Sequence, residues 1–215
     1  MIKLVIFDFD GVLVDTELTT FNFYKELLPS YGIVLKDSDF RYKIGRKSAD
    51  FFRDVLKDKF DESFVKEITA IKRQAFQKNV NKYLKPVPGA FKLLADCQRA
   101  HLVMAIGSQN ERELIEKAID EFNIRNYFSF ITSLQDIKNK KPDPEVYLLV
   151  SKNTHIEPKN AVVIEDAPIG IEAAHKGGFR SIGVTTSFKR EDLSKADLVI
   201  DSMSELSPKL LREFN

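Results

Sequence analysis

Two carboxylates two residues apart, Asp8 and Asp10, follow an apolar run near the N-terminus in Asp8-Phe9-Asp10-Gly11. Both can face a ligand at a strand end, or the loop can aim one side chain and one backbone carbonyl at a cation. Gly11 permits a sharp change of direction. A plain turn built from Asp and Gly is the competing reading. Further on, Gly107-Ser108-Gln109-Asn110 precedes a helical stretch. A small hydroxyl and free backbone N–H groups at a helix start suit a phosphate, which makes Ser108 and Gln109 candidates to bind one; Ser108 or Asn110 would serve as well as a helix N-cap. Lys141 stands on a stiff segment, Lys140-Lys141-Pro142-Asp143-Pro144. Its ammonium can be held in one place there, although a lysine taken alone is usually just a solvated charge. Asp143 before Pro144 looks like an N-cap and first helical turn, so its role is structural. Glu165-Asp166-Ala167-Pro168 sets two adjacent carboxylates before another helix, a pattern for a hard cation, with Asp166 as a simple N-cap the alternative. Together these residues make a pocket for Mg²⁺ and phosphate. The cation neutralises phosphoryl oxygens, Lys141 adds a second positive charge and Asp8 attacks.

Such a constellation needs elements that bring its parts to one edge. Five short apolar runs do so: Ile2–Phe7, Leu102–Ile106, Phe128–Thr132, Ala161–Ile164 and Ser181–Val184, with a weaker sixth at Leu198–Ile200. Runs this apolar suit strands covered on both faces, as in a parallel sheet. Helical patterns lie between them, at Ala90–Arg99, Glu111–Asn123, Pro144–Asn153 and Ile169–Lys176. The alternation predicts an α/β domain with a mostly parallel sheet, whose ligands gather beyond the carboxyl ends of the strands. About 95 residues separate the first two runs, far more than one crossover helix needs. From Thr16 to Tyr83 the chain reads as helix, with apolar residues three and four apart in Ala49–Lys59 and Ser63–Lys78. Phe21, Phe51 and Phe52 read as packing there. The stretch closes at Lys85-Pro86-Val87-Pro88-Gly89, a strong punctuation.

Composition sets the bounds. The 215 residues carry 33 Lys and Arg against 32 Asp and Glu, so no global field draws in nucleic acid or anionic lipid. No stretch approaches the ~20 apolar residues of a membrane span. The one cysteine, Cys97, forms no internal disulfide and reads as core packing. His101, His155 and His175 are scattered and sit at no motif. A cytoplasmic location and a monomer are the defaults.

The first motif, Asp8 through Thr16 (DFDGVLVDT), is followed by Ser108, Lys141-Pro142 and Glu165-Asp166 in the order and at the intervals of a four-part signature. On these residues, and on Ile164–Ala174 (IEDAPIGIEAA), the chain resembles the haloacid-dehalogenase-like superfamily of phosphohydrolases. The similarity is strongest to the subfamily holding β-phosphoglucomutase and small sugar-phosphate phosphatases. The resemblance implies a Rossmann-like core, residues 1–15 and 84–215, with an inserted α-helical cap, residues 16–83. The cap would close over the site on hinges near Val14–Thr16 and Tyr83–Gly89. Asp8 would form an aspartyl-phosphate. Asp10 would protonate the leaving oxygen and then activate water. Ser108 and Lys141 would hold the phosphoryl group. Asp8, the Asp10 main-chain carbonyl and Asp166 would bind Mg²⁺, with Glu165 directly or through water. Gly45-Arg46-Lys47-Ser48 resembles the family's specificity loop, where Arg46 or Lys47 would meet the leaving group; a solvated basic turn is the equal alternative. Mutases of the subfamily usually carry a histidine where this chain has Thr19 or Thr20, which favours hydrolysis over a β-phosphoglucomutase-like phosphomutase. Haloalkanoic dehalogenases lack the second aspartate of the first motif, so Asp10 speaks against that reaction. The expectation is a phosphatase for a small phosphate ester, sugar phosphates being the class the resemblance implies, with no nucleic-acid or membrane partner.

Overall fold

Four consecutive apolar residues make the first strand, and every one is buried, as a strand covered on both faces requires. The structure, a computed structural model, describes residues 1–42 and 48–214. In chain order the strands are β1 (Leu4–Phe7), β2 (Val14–Asp15), β3 (Lys85–Pro86), β4 (Val103–Gly107), β5 (Phe130–Thr132), β6 (Ala161–Glu165), β7 (Arg180–Val184) and β8 (Leu198–Ile200). Six of them form one parallel sheet in the order β5-β4-β1-β6-β7-β8. Phe7, the last residue of β1, lies opposite Ile106 of β4 and Ile164 of β6. The residues that follow these three strands therefore emerge side by side at the carboxyl edge.

The crossover helices follow from sequence periodicity. Helix α5 (Ala90–Arg99) buries Ala90, Leu93, Leu94 and Cys97, an i, i+3, i+4, i+7 stripe, and α6 (Arg112–Glu121) buries Leu114, Ile115, Ala118 and Ile119, two pairs four residues apart on one face. Helix α7 (Glu145–Thr154) lays Val146, Tyr147 and Val150 against Leu4, Ile6, Ala105 and Val163 of the sheet. Helix α8 (Pro168–Lys176) adds Ala173 and Ala174 to the same cluster. Full burial of each branched side chain contributes about 1.5–3 kcal/mol. Cys97 is buried, and burial pushes its thiol up to about 12, which makes it an inert packing residue.

The sequence-based boundaries shift by a residue or two. The third core strand begins at Phe130 rather than Phe128, because a 3₁₀ turn at Arg125–Tyr127 takes up the preceding chain. Helix α6 stops at Glu121, two residues short of Asn123, whose φ of 55° is left-handed and ends a helix. Helix α7 begins at Glu145, after Pro144, and the Glu145 N–H donates to the Asp143 carboxylate at 2.9 Å, the capping role expected of Asp143.

The chain divides into two compact units, Met1–Asp15 with Pro86–Asn215, and Thr16–Lys85. The inserted unit is helical: α1 (Glu17–Leu27), α2 (Ser48–Leu56), α3 (Glu62–Lys78) and α4 (Val80–Tyr83), with short 3₁₀ turns. Asp61 caps α3 by accepting from the Ser63 N–H at 2.8 Å. Its centre is aromatic. Phe21, Phe51, Phe52 and Phe76 are buried, and Phe23 meets Phe76 edge-on at 5.6 Å, a geometry favoured by ring quadrupoles. Arg46 and Lys47 lie outside the described residues.

Candidate active site

The carboxyl edge of the sheet gathers the polar residues of the core into one buried cluster. Asp8 follows β1 directly, and its N–H is tied to the Ile164 carbonyl of β6 at 3.0 Å. The loop then turns at Gly11, whose φ is +71° and whose N–H donates to the Val14 carbonyl at 2.7 Å. Only glycine fits: a Cβ there would stand 1.8 Å from Asp166 Oδ2. The chain after β1 is thus pressed against the end of β6, and Asp8, Glu165 and Asp166 offer carboxylate oxygens within 4.8 Å of one another.

Lys141 enters this cluster from the β5–α7 connection, with its side chain only 6% exposed. Its Nζ donates to Asp8 Oδ1 at 2.9 Å and to Glu165 Oε1 at 2.7 Å. It is therefore a buried bridge, not the solvated charge that its sequence context also allowed. Tyr147 of α7 donates its hydroxyl to the same Glu165 Oε1 at 2.7 Å, and the Lys141 ammonium lies 5.0 Å from the Tyr147 ring centre. Glu165 Oε2 accepts from the Asp166 and Ala167 N–H groups at 2.9 and 3.0 Å. Four donors saturate the lone pairs of Glu165, so its direct work is to hold Lys141 and the turn into α8.

Three carboxylates against one ammonium leave the cluster short of positive charge, which raises the carboxyls. Burial, with repulsion from Glu165 and Asp10, lifts the Asp8 carboxyl from 3.8 to about 7 despite Lys141. Burial and repulsion from Glu165 and Asp8 push Asp166 well above the usual carboxylate range. Burial opposes the charge on Lys141, but Asp8 and Glu165 outweigh it and hold its pKa well above the ordinary lysine value. An all-oxygen, net-negative donor set of this kind suits a hard divalent cation.

Asp10 sits on the other side of the turn. Asn110 Nδ2 donates to both of its carboxylate oxygens, at 3.0 and 3.1 Å. Ser108 is fully buried at the end of β4. Its N–H donates to the Thr132 carbonyl at 3.0 Å, and its Oγ accepts from the Asn110 N–H at 3.1 Å. Gln109 follows it, half-buried. Among the described residues, the buried side-chain atoms Gln109 Nε2 and Thr132 Oγ1 have no hydrogen-bond partner, and Ser187 Oγ, also buried, has the Asp166 carboxylate beside it. Gln109 and Thr132 stand at the carboxyl ends of β4 and β5, and Ser187 in the loop after β7. Buried polar groups left unpaired are costly, and their concentration at this one edge is what a ligand site would leave.

The structure thus brings Asp8, Lys141, Glu165 and Asp166 into contact and sets Asp10 and Ser108 beside them through Asn110. The sequence reading missed Tyr147 and treated Asn110 only as a possible cap. A tyrosine six residues after Lys141 on the apolar face of a helix carries the one signal available, a ring that buries easily and a hydroxyl that needs a partner.

A model of the haloacid dehalogenase-like hydrolase family matches residues 5–184, most of the chain and the whole of this cluster. The chain belongs to that family. Its relatives include a phosphorylated carbohydrates phosphatase of Thermotoga maritima, 32% identical over 84% of this chain and 83% of the relative. A validoxylamine A 7'-phosphate phosphatase of Streptomyces hygroscopicus subsp. limoneus is 27% identical over 96% of each. Among solved structures, a β-phosphoglucomutase from Clostridium difficile aligns with a TM-score of 0.76 at 26% identity, covering 99% of this chain and 96% of that one. This haloacid dehalogenase-like hydrolase lies on the β-phosphoglucomutase-like branch and is a phosphoric monoester hydrolase.

Proposed function

We propose that the protein is a Mg²⁺-dependent phosphatase of small phosphate monoesters, sugar phosphates foremost, working through an aspartyl-phosphate on Asp8. The observation that carries this reading is the placement of Asp8: a buried carboxylate at the end of β1, 2.9 Å from the Lys141 ammonium, in a cluster whose carboxylates outnumber its positive charge. Asp8, Asp166 and the Asp10 main-chain carbonyl would hold the cation, while Glu165, its oxygens already taken by four donors, would serve it by fixing Lys141 and the turn that carries Asp166. Bound there, Mg²⁺ would neutralise the phosphoryl oxygens.

The protein's own groups account for the rest. Lys141, fixed by Glu165 and Tyr147, opposes the burial that raises the Asp8 carboxyl and so favours its ionised form, and it presents a positive charge to a phosphoryl oxygen. Ser108 and Gln109 stand at the start of the α6 connection, where the unpaired Gln109 amide can donate to phosphate. Asp10 gives a proton to the leaving oxygen and later takes one from water. The sugar-phosphate preference draws on the Thermotoga relative.

Phosphate release from a panel of small phosphate esters, with Mg²⁺ and with EDTA, tests the proposal. Release that needs Mg²⁺ and vanishes in Asp8→Asn is expected. Substantial residual turnover by Asp8→Asn would overturn the nucleophile. The likeness to a β-phosphoglucomutase favours one second reading, a phosphomutase; hexose 1-phosphate converted to the 6-phosphate without phosphate release would establish it instead.

A further inference from the structure

Asn110 is held at every one of its polar groups. Its N–H donates to Ser108 Oγ at 3.1 Å. Its carbonyl accepts from the Leu134 N–H at 2.9 Å. Its side-chain Oδ1 accepts from the Glu111 N–H at 2.8 Å. That last bond decides which way round the amide stands, because an N–H can face only the oxygen. The Nδ2 group must then point the other way, and there it meets both oxygens of Asp10, at 3.0 and 3.1 Å. The Ser108 hydroxyl just after β4, the Leu134 N–H after β5 and the Glu111 N–H at the start of α6 together aim one amide at one carboxylate.

We infer that Asn110 is the positioning residue of Asp10: it fixes the carboxylate that serves as acid and then base. Asp10 in that role, as proposed above, is the premise. In the first half-reaction an Asp8 oxygen bonds to phosphorus, the ester P–O bond breaks, and Asp10 gives its proton to the leaving oxygen. In the second, water bonds to phosphorus, its proton passes to Asp10, and the bond between phosphorus and Asp8 breaks. Both proton transfers need Asp10 at hydrogen-bond distance from a moving oxygen. A carboxylate on a loop just before a turning glycine has rotamers to spare, and the Asn110 amide removes that freedom before substrate arrives. The contact spans 100 residues of sequence, so it serves no local turn.

The test compares kcat/KM for phenyl phosphate and 4-nitrophenyl phosphate at saturating Mg²⁺. Phenoxide leaves poorly and needs the proton, whereas 4-nitrophenoxide departs largely unaided. Asn110→Ala should lower kcat/KM about 10²-fold on phenyl phosphate and about tenfold less on the nitrophenyl ester, the size expected from a misplaced catalytic group. Asn110→Asp keeps an oxygen for the Glu111 N–H but sets a like charge against Asp10. A purely structural cap would leave this variant at the wild-type rate; positioning makes it at least as damaged as Asn110→Ala, with the same ester bias. Equal loss on both esters, or a wild-type Asn110→Asp, overturns the inference. Asp10→Asn run alongside separates the two claims. If it shows no ester bias, the acid role of Asp10 falls and this inference with it. If it shows the bias and the Asn110 variants do not, only the role of Asn110 falls.

Discussion

Replacing Asp8 by Asn removes one negative charge from a buried group in which three carboxylates face one ammonium. The nucleophile is lost, so turnover should vanish, but the more searching consequence is for stability. The Asp8 carboxyl stands at 3.8 when free and about 7 in the folded protein. A group raised in this way favours the folded state fully below 3.8 and loses that contribution as pH rises through about 7. At about 1.4 kcal/mol per pH unit, ionised Asp8 costs the folded protein on the order of 4 kcal/mol at pH 8 as a ceiling. An asparagine there loses the charged partner of Lys141 and takes back part of this, leaving a gain of about 1–3 kcal/mol. Urea unfolding in EDTA should therefore find Asp8→Asn more stable than wild type at pH 8, with the difference closing toward pH 5. Saturating metal should reverse the order, since a ligand at 100 times its Kd adds about 2.7 kcal/mol to whichever protein keeps the full donor set. A variant equal to or less stable than wild type at pH 8 in EDTA would refute the reasoning. It would mean that the attraction of Lys141 outweighs burial and repulsion together.

Three other substitutions probe the same cluster. Asp166→Ala should raise the Mg²⁺ concentration for half-maximal activity by at least about tenfold; an unchanged metal titration would remove Asp166 from the ligand set. Lys141→Met leaves Asp8 and Glu165 without their shared counter-charge and should cost about 3–5 kcal/mol in EDTA at pH 8. The loss should shrink in acid as the carboxyls protonate, and denaturant melts at two pH values would show whether it does. Gly170→Ala would place a methyl 1.7 Å from Glu165 Oε1, so Glu165 must move and Lys141 with it; about 1–3 kcal/mol of stability and most of the activity should go, and a variant with normal melting and normal kcat would show that Glu165 has room to spare.

Much of the fold is legible because its rules are local. An apolar run such as Leu4–Phe7 can be satisfied only between two covering layers, and the apolar stripe Ala90, Leu93, Leu94, Cys97 can only be a helix face. The boundaries moved where a single residue outvoted the pattern, as at Asn123 with its left-handed φ. The types of residue at the strand ends were equally plain, since carboxylates after an apolar run are visible without coordinates. What those residues do to one another was not. Lys141 looks in sequence like any lysine beside another, yet it is buried between Asp8 and Glu165. Glu165 and Asp166 read as a pair, yet Glu165 is saturated by four donors while Asp166 faces the turn at Gly11. Asn110 reads as a cap, and only its approach to Asp10 across 100 residues gives its amide another partner. Periodicity and residue type are properties of neighbours along the chain, so the sequence by itself determined the strands, the helices and the chemistry available at their ends. Burial, charge balance and hydrogen-bond saturation depend on distances between residues far apart in the chain, and only the parallel register of β4, β1 and β6 sets them.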